Sequence, residues 1–257
     1  MRQVDVAMRA VLCYKAAMWK LCVLVAVWCL PSCADWVLDK DRAQASYFVA
    51  REGALPDDVF TEKSLRKRVE CIHADFEKDR RYFGLPSGVK VSTDEIRIQT
   101  QEGMGGETMG SLYAAGGIRS GFGAVEPYSR DLTLTVDRSK FRRPGVDASV
   151  LDSTLAHELA HAWFAKRFPL VYVSAQFVEV VEGQAVFAQY RWMARNYPQI
   201  SEERFEAHHP SSYRGYYHAF KQKFTKGGAV DWQRIQALED QLKSRFVRTG
   251  SLNAAAH

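Results

Sequence analysis

The sequence predicts an α+β fold, with strands gathered ahead of a mainly helical second half. Three observations carry this. Short runs alternating in polarity occur at 89–91, 96–98 and 131–136, as half-buried strands do. From residue 149 onward, four long stretches carry apolar residues at helical spacing. With 257 residues, 47% of them hydrophobic and 25% charged, the chain can bury one full core. Strands first and helices afterwards are the order of an α+β domain.

The chain opens on a segment that reads as an export leader. Lys15 and Lys20 precede the apolar run Leu21–Leu30, which is too short to span a bilayer but long enough for the core of a signal peptide. Pro31 breaks this run, and Ser32, Cys33 and Ala34 follow. Two processing routes fit. Cleavage after Ala34 would release a soluble domain. Leu30-Pro31-Ser32-Cys33 resembles a bacterial lipobox, in which Cys33 is lipidated and attaches the protein to a membrane. An uncut anchor is the third reading, and Met8 and Met18 are alternative starts. The expected division is a leader over 1–34 and a single domain over 35–257, exported to the periplasm, a membrane surface or the exterior.

Cysteine and charge agree with export. Cys13, Cys22, Cys29 and Cys33 lie in or beside the leader, and Cys71 alone lies in the body. A lone cysteine forms no internal disulfide, and Cys71 sits in a helical pattern where a small buried apolar residue is expected. The leader takes a net +3 of the chain's +5, from four bases and one acid over 1–33. The near-neutral remainder has no basic run interleaved with aromatics, which excludes a nucleic-acid partner.

Along the body, Ala45–Ala50 reads as a strand by its apolar and aromatic content. Leu65, Val69, Ile72 and Phe76 predict a helix over 59–83, closed by Gly84-Leu85-Pro86. Val89–Val91 and Ile96–Ile98 follow as short strands. Residues 103–123, rich in glycine, read as a flexible loop; no Lys-Ser/Thr pair follows to make a phosphate cradle. Asp131–Val136 alternates as a strand. Helices are expected over 149–167, 174–196, 212–225 and 231–247, separated by Pro169, Pro198, Pro210 and Gly227-Gly228.

The chemistry-bearing motif is His157-Glu158-Leu159-Ala160-His161. Residues four apart share a helix face, so both imidazoles can reach one tetrahedral ion. Glu158, turned about 100° from His157, is directed past the ion toward its bound water, where a base is needed. A catalytic ion needs a third protein ligand and one open position. Glu182 on the next predicted helix is the first candidate, with Glu179 one turn earlier as the alternative. Leu155, Ala156, Leu159, Ala160, Ala162 and Trp163 surround the histidines, so the helix is expected to be buried. Buried imidazoles and carboxylates need partners, which a shared metal supplies. Val186, one turn beyond Glu182, is apolar, so any carboxylate orienting an imidazole must come from elsewhere.

His157-Glu158-Leu159-Ala160-His161-Ala162-Trp163-Phe164 resembles the His-Glu-Leu-Ala-His-x-Trp-Phe pattern of the zinc aminopeptidases. Glu182-Gly183-Gln184-Ala185 is similar to their Glu-Gly-Phe-Ala, whose Glu is the third ligand, although the separation here is two residues longer. Over about 150–190 the chain thus resembles the gluzincin metallopeptidases, the peptidase MA-like group included. The resemblance implies a zincin-like fold, a Zn2+ ion held by His157, His161 and Glu182, and hydrolysis of a peptide or protein substrate with Glu158 as general base. Tyr213-Arg214-Gly215-Tyr216-Tyr217, running to Gly227-Gly228, resembles the family's Tyr-x-x-Gly helix, whose tyrosine stabilises the oxyanion. The glycine comes one residue early, leaving Tyr213 first and Tyr216 or Tyr217 as alternatives; a helical core stripe explains the same aromatics. Gly123-Ala124-Val125-Glu126 resembles the segment that binds a substrate's free amino terminus, with Pro127 in place of Asn.

Two other functions fit parts of this pattern. One is an inactive envelope module on the same scaffold, which would have no use for Glu158. The other is an intracellular zinc protease acting on nucleic-acid-bound proteins, which the leader and the near-neutral body oppose.

Overall fold

A 17-residue helix, α1 (Glu62–Lys78), forms where the sequence carries its amphipathic stretch, with Leu65, Val69, Ile72 and Phe76 buried. The Thr61 side chain caps it by accepting from the Ser64 amide at 3.2 Å. The expected span of 59–83 is thus trimmed at both ends. Val59 and Phe60 belong to a 3-10 turn. After Lys78 the Asp79 carboxylate accepts from the Tyr82 amide and pairs with Arg195 at 2.9 Å, which draws the chain out of the helix. The computed structural model describes residues 55–103, 110–121, 124–142, 146, 148–207 and 209–249. The leader over 1–34, Cys33 and the expected strand at 45–50 lie outside them.

Val89–Val91 belongs to no sheet among the described residues, contrary to its alternating pattern. Side chains take its carbonyls instead: Arg80 donates to Val89 at 2.7 Å, Lys166 to Lys90 at 3.0 Å, and His73 lies 2.9 Å from that of Val91. The sheet consists of β1 (Ile96–Gln101), β2 (Gly110–Gly121) and β3 (Ala124–Asp137) in the order β1-β3-β2. β1 runs parallel to β3 and β2 antiparallel, so β2 is an edge strand among the described residues. Ile96, Ile98, Leu132, Leu134 and Val136 are buried.

The glycine-rich loop expected over 103–123 is corrected by β2. Backbone pairing with β3 from Gly110↔Val136 to Gly121↔Ala124 needs no particular side chain, which is why side-chain alternation did not reveal it. The same pairing extends β3 upstream of residue 131, through Glu126.

Beyond a short turn of helix, α2 (Arg138–Phe141), the central element is α3 (Ala148–Arg167), buried without a break from Leu155 through Ala165. A helix apolar on every side belongs inside a fold. It packs against α1, β2, β3, α4 (Pro169–Val173) and α5 (Val178–Asn196). The buried Arg68–Asp152 ion pair, at 2.7 Å, ties α1 to α3.

Pro169 begins α4 instead of merely breaking the chain, as proline suits a first helical position. The free amides of Leu170 and Val171 donate to buried Glu239 at 3.1 and 3.0 Å. Burial raises the Glu239 pKa, and these two bonds counter that rise. Helices α6 (Glu202–Ala207), α7 (Ser211–Phe224) and α8 (Trp232–Thr249) complete the fold, with a small hairpin of β4 (Thr225–Lys226) and β5 (Ala229–Val230) turning at Gly227-Gly228. The described residues are therefore mostly helical, with a small three-stranded mixed sheet and a two-stranded hairpin, an α+β arrangement. Cys71 is half-buried, less enclosed than its helical position suggested. No helix among the described residues is long and apolar enough to cross a membrane.

Helices α5 and α7 meet at Gly183. A Cβ there would stand 2.5 Å from the Tyr216 carbonyl oxygen and 2.6 Å from Phe220 Cβ, so only glycine permits the approach. Gly183→Ala is expected to destabilise the protein by about 2 kcal/mol, as overpacking does, read as a lower urea midpoint with unchanged slope.

Candidate metal centre

His157 and His161 stand one turn apart on α3, their ring centroids 4.9 Å apart and their planes nearly perpendicular at 85°. Glu182, from the neighbouring α5, directs one oxygen at both rings: Oε2 lies 3.2 Å from His157 Nε2 and 3.7 Å from His161 Nε2. These are the sequence-predicted ligands, and one atom of each lies within 4.8 Å of the others. The alternative, Glu179, is engaged elsewhere, pairing with Lys223 at 2.7 Å.

Two imidazole nitrogens and a carboxylate oxygen are a donor set suited to a borderline cation such as zinc. Bonds of about 2.0–2.1 Å at tetrahedral angles would separate neighbouring donors by about 3.3 Å. The two contacts to Glu182 Oε2, at 3.2 and 3.7 Å, match that spacing, so the residues fit the group. Burial alone would raise the Glu182 pKa, but the imidazoles of His161 and His157 outweigh it and hold the carboxyl far below its usual range. Ligation of a cation would need this carboxylate ionised and both imidazoles neutral.

The far side of His157 is also held. Its Nδ1 lies 3.2 Å from Gln189 Oε1, and the Gln189 amide nitrogen donates to Ser153 Oγ at 2.8 Å. The orienting group missing at Val186 is therefore an amide one turn further along, two turns beyond Glu182. A carbonyl acceptor at Nδ1 places the proton there and leaves the Nε2 lone pair for a cation. His161 has no such support: its Nδ1 is buried without a hydrogen-bond partner among the described residues, and the Tyr172 ring packs 5.8 Å away.

Glu158 is buried beside the pair. Gly110, the first residue of β2, stands so close that a Cβ would lie 3.1 Å from Glu158 Cγ and 3.0 Å from Thr154 Cγ2. The edge strand therefore runs directly past the motif. Of the three candidate tyrosines, Tyr213 reaches the centre, its ring 5.7 Å from that of His157. Tyr216 packs behind it at 6.1 Å, and Tyr217 is turned away, donating to Glu202 at 2.7 Å. Burial raises the Tyr213 pKa, and the negative charges of Glu182 and Glu158 raise it further.

Tyr172 on α4 was not singled out in the sequence, yet it occupies the matching position beside His161. Its pKa is raised by burial and then by Glu158 and Glu182. Both hydroxyls thus keep their protons and stand as donors near the two carboxylates. Glu126 lies on β3, opposite Arg119 of β2, and its side chain is outside the described residues.

No family model, curated protein or solved structure matches this chain, so the gluzincin likeness rests on its own residues.

Titrating cobalt(II) into the protein is expected to saturate at one ion per chain. Glu182→Ala should weaken binding by about 100-fold or more, on the scale of losing a ligand rather than its outer support, while Glu179→Ala leaves it unchanged. Competition with a chelator measures both.

Proposed function

We propose that the protein is a zinc-dependent peptidase of gluzincin type on a zincin-like scaffold, acting on peptide or protein substrates. The observation that supports this most is the approach of His157, His161 and Glu182 to a common point, with Glu158 on the intervening turn of α3. Their chemistry suits Zn2+, which when bound would polarise the scissile carbonyl and acidify a water.

The remaining chemistry belongs to the chain. Glu158, which is not among the three ligands, takes the proton of the attacking water and passes it to the leaving amine. Its burial strengthens each electrostatic interaction it makes, because little solvent screens it. Tyr213, kept protonated, donates to the oxygen that gains charge in the transition state. The edge of β2 that pairs with no other described strand begins at Gly110, beside Glu158, and an extended peptide can add there through main-chain hydrogen bonds. Glycine at that position keeps side-chain atoms out of the space between strand and base.

The leader assigns this activity to the cell envelope or beyond: periplasmic, attached to a membrane through Cys33, or secreted. The alternative, an inactive envelope module, has no role for a buried acid that is not one of the three ligands.

Glu158→Gln is expected to keep one zinc per chain and lose about 100- to 10,000-fold in turnover of a peptide library. Tyr213→Phe should lower kcat by about 100-fold with little change in KM. Undiminished cleavage by Glu158→Gln would refute the mechanism. A zinc-loaded wild-type protein that cleaves nothing would establish the inactive module instead.

A further inference from the structure

We infer that the turn joining α4 to α5 selects the substrate, taking an apolar side chain from a residue that flanks the scissile bond; the inference rests on the peptidase reading above. Val173 ends α4 and Val178 begins α5, with a 3-10 turn (Ala175–Phe177) between them. Both valines face solvent, Val173 being 53% exposed and Val178 43%. Among the described residues, only Val247 joins them as an exposed large apolar side chain. Tyr172 and Phe177 are half-buried beside them.

The sequence of this turn is unusual for a surface connection. From Phe168 to Val178 it carries no charged side chain. Glu179 ends the run, and its carboxylate is taken up by Lys223 at 2.7 Å. Phe177 occupies the N-cap of α5, and no side chain caps that end. Ser, Thr, Asp or Asn is the stabilising choice at such a position. An apolar residue kept there against its local preference is a departure of the kind expected where function is served.

One exposed valine needs no explanation, but two bordering a candidate centre do. Tyr172, next to Val173, packs its ring 5.8 Å from that of His161. Val178 precedes Glu182 by one turn on the same face of α5, about 6 Å along the helix axis. This apolar lip thus borders two of the three candidate ligands, while Gly110 of β2 borders Glu158. A peptide extended along β2 turns successive side chains to opposite faces, and in the proposed pose one of the two residues flanking the cut meets the valines. Burial of that side chain withdraws apolar surface of both partners from water. A membrane is the other apolar occupant. The lip brings no Lys or Arg to meet lipid headgroups, and a bilayer seated on it would cover the centre it borders.

Digestion of a peptide library by the zinc-loaded wild type, with cut sites read by mass spectrometry, is expected to show Leu, Ile, Val or Phe at one fixed position flanking the scissile bond. Combining Val173→Ser with Val178→Ser should lower kcat/KM by about 10-fold for a peptide with Leu at that position. The same variant should change it little for the Ala counterpart and leave zinc affinity as it was. Val247→Ser, on a helix that supplies no ligand, should alter neither. A cleavage profile without apolar preference would overturn the inference, as would equal losses on the Leu and Ala peptides. So would a double variant that no longer co-sediments with phosphatidylglycerol vesicles yet keeps its cleavage profile, which would make the lip a membrane contact. A zinc-loaded wild type that cuts nothing would overturn the peptidase reading itself, and this inference with it.

Discussion

The contact between α3 and α5 is the constraint on which the candidate centre depends. Seven residues of α5 separate Glu182 from Gln189, nearly two full turns, so both point to the same side of the helix. One meets the Nε2 edge of His157 and the other its Nδ1 edge. A rotation of α5 that moved either group would move the other, and the imidazole would lose its ligand partner and its orienting partner together. Gly183 belongs to the same constraint. By letting α7 approach α5 closely, it brings Tyr213 to the His157 ring while Glu182, its neighbour in sequence, faces α3.

Such a site is expensive to build, because two imidazoles and two carboxylates are withdrawn from water around one point. The surrounding fold shows how that is managed. α3 is enclosed by helices and sheet, so its two histidines sit on a backbone with little freedom to move. The Arg68–Asp152 pair anchors the first half of α3 to α1, one turn before the motif. At the other end, Glu239 satisfies the amides of α4, the short helix that carries Tyr172 to His161. These contacts touch none of the candidate residues, yet they determine where those residues stand. Precision of this kind comes from the supporting shell.

What the sequence made legible follows from what each signal encodes. The ligand helix was readable because its chemistry and its burial pattern coincide in one stretch. Glu182 could be preferred to Glu179 only through a likeness to other proteins, since both lie on the same helix one turn apart. Their difference is a tertiary fact: one faces the imidazoles and the other pairs with Lys223. The strand β2 was hidden because glycine carries no polarity pattern, while the run at Val89–Val91 had the pattern but pairs with no strand among the described residues. Tyr172 was concealed behind Pro169, which read as a break although it starts a helix. Gln189 was within reach of sequence reasoning, being on the Glu182 face of an evident helix. It was passed over because a carboxylate was sought one turn earlier, at Val186.

The amide at Gln189 bears on the charge balance of the whole centre. A divalent cation held by Glu182 with Glu158 alongside would leave the three charges summing to zero. A further carboxylate behind His157 would make the centre anionic, and in a poorly solvated region its field would reach Glu158. The proton affinity of a general base is set by such neighbours, and another negative charge would hold its proton more tightly after transfer. A neutral amide orients the imidazole without adding that charge. Its nitrogen donates to Ser153 Oγ at 2.8 Å, which leaves Oε1 facing His157. Gln189 thus takes the orienting role that a carboxylate would otherwise perform, and leaves the negative charge near Glu158 lower.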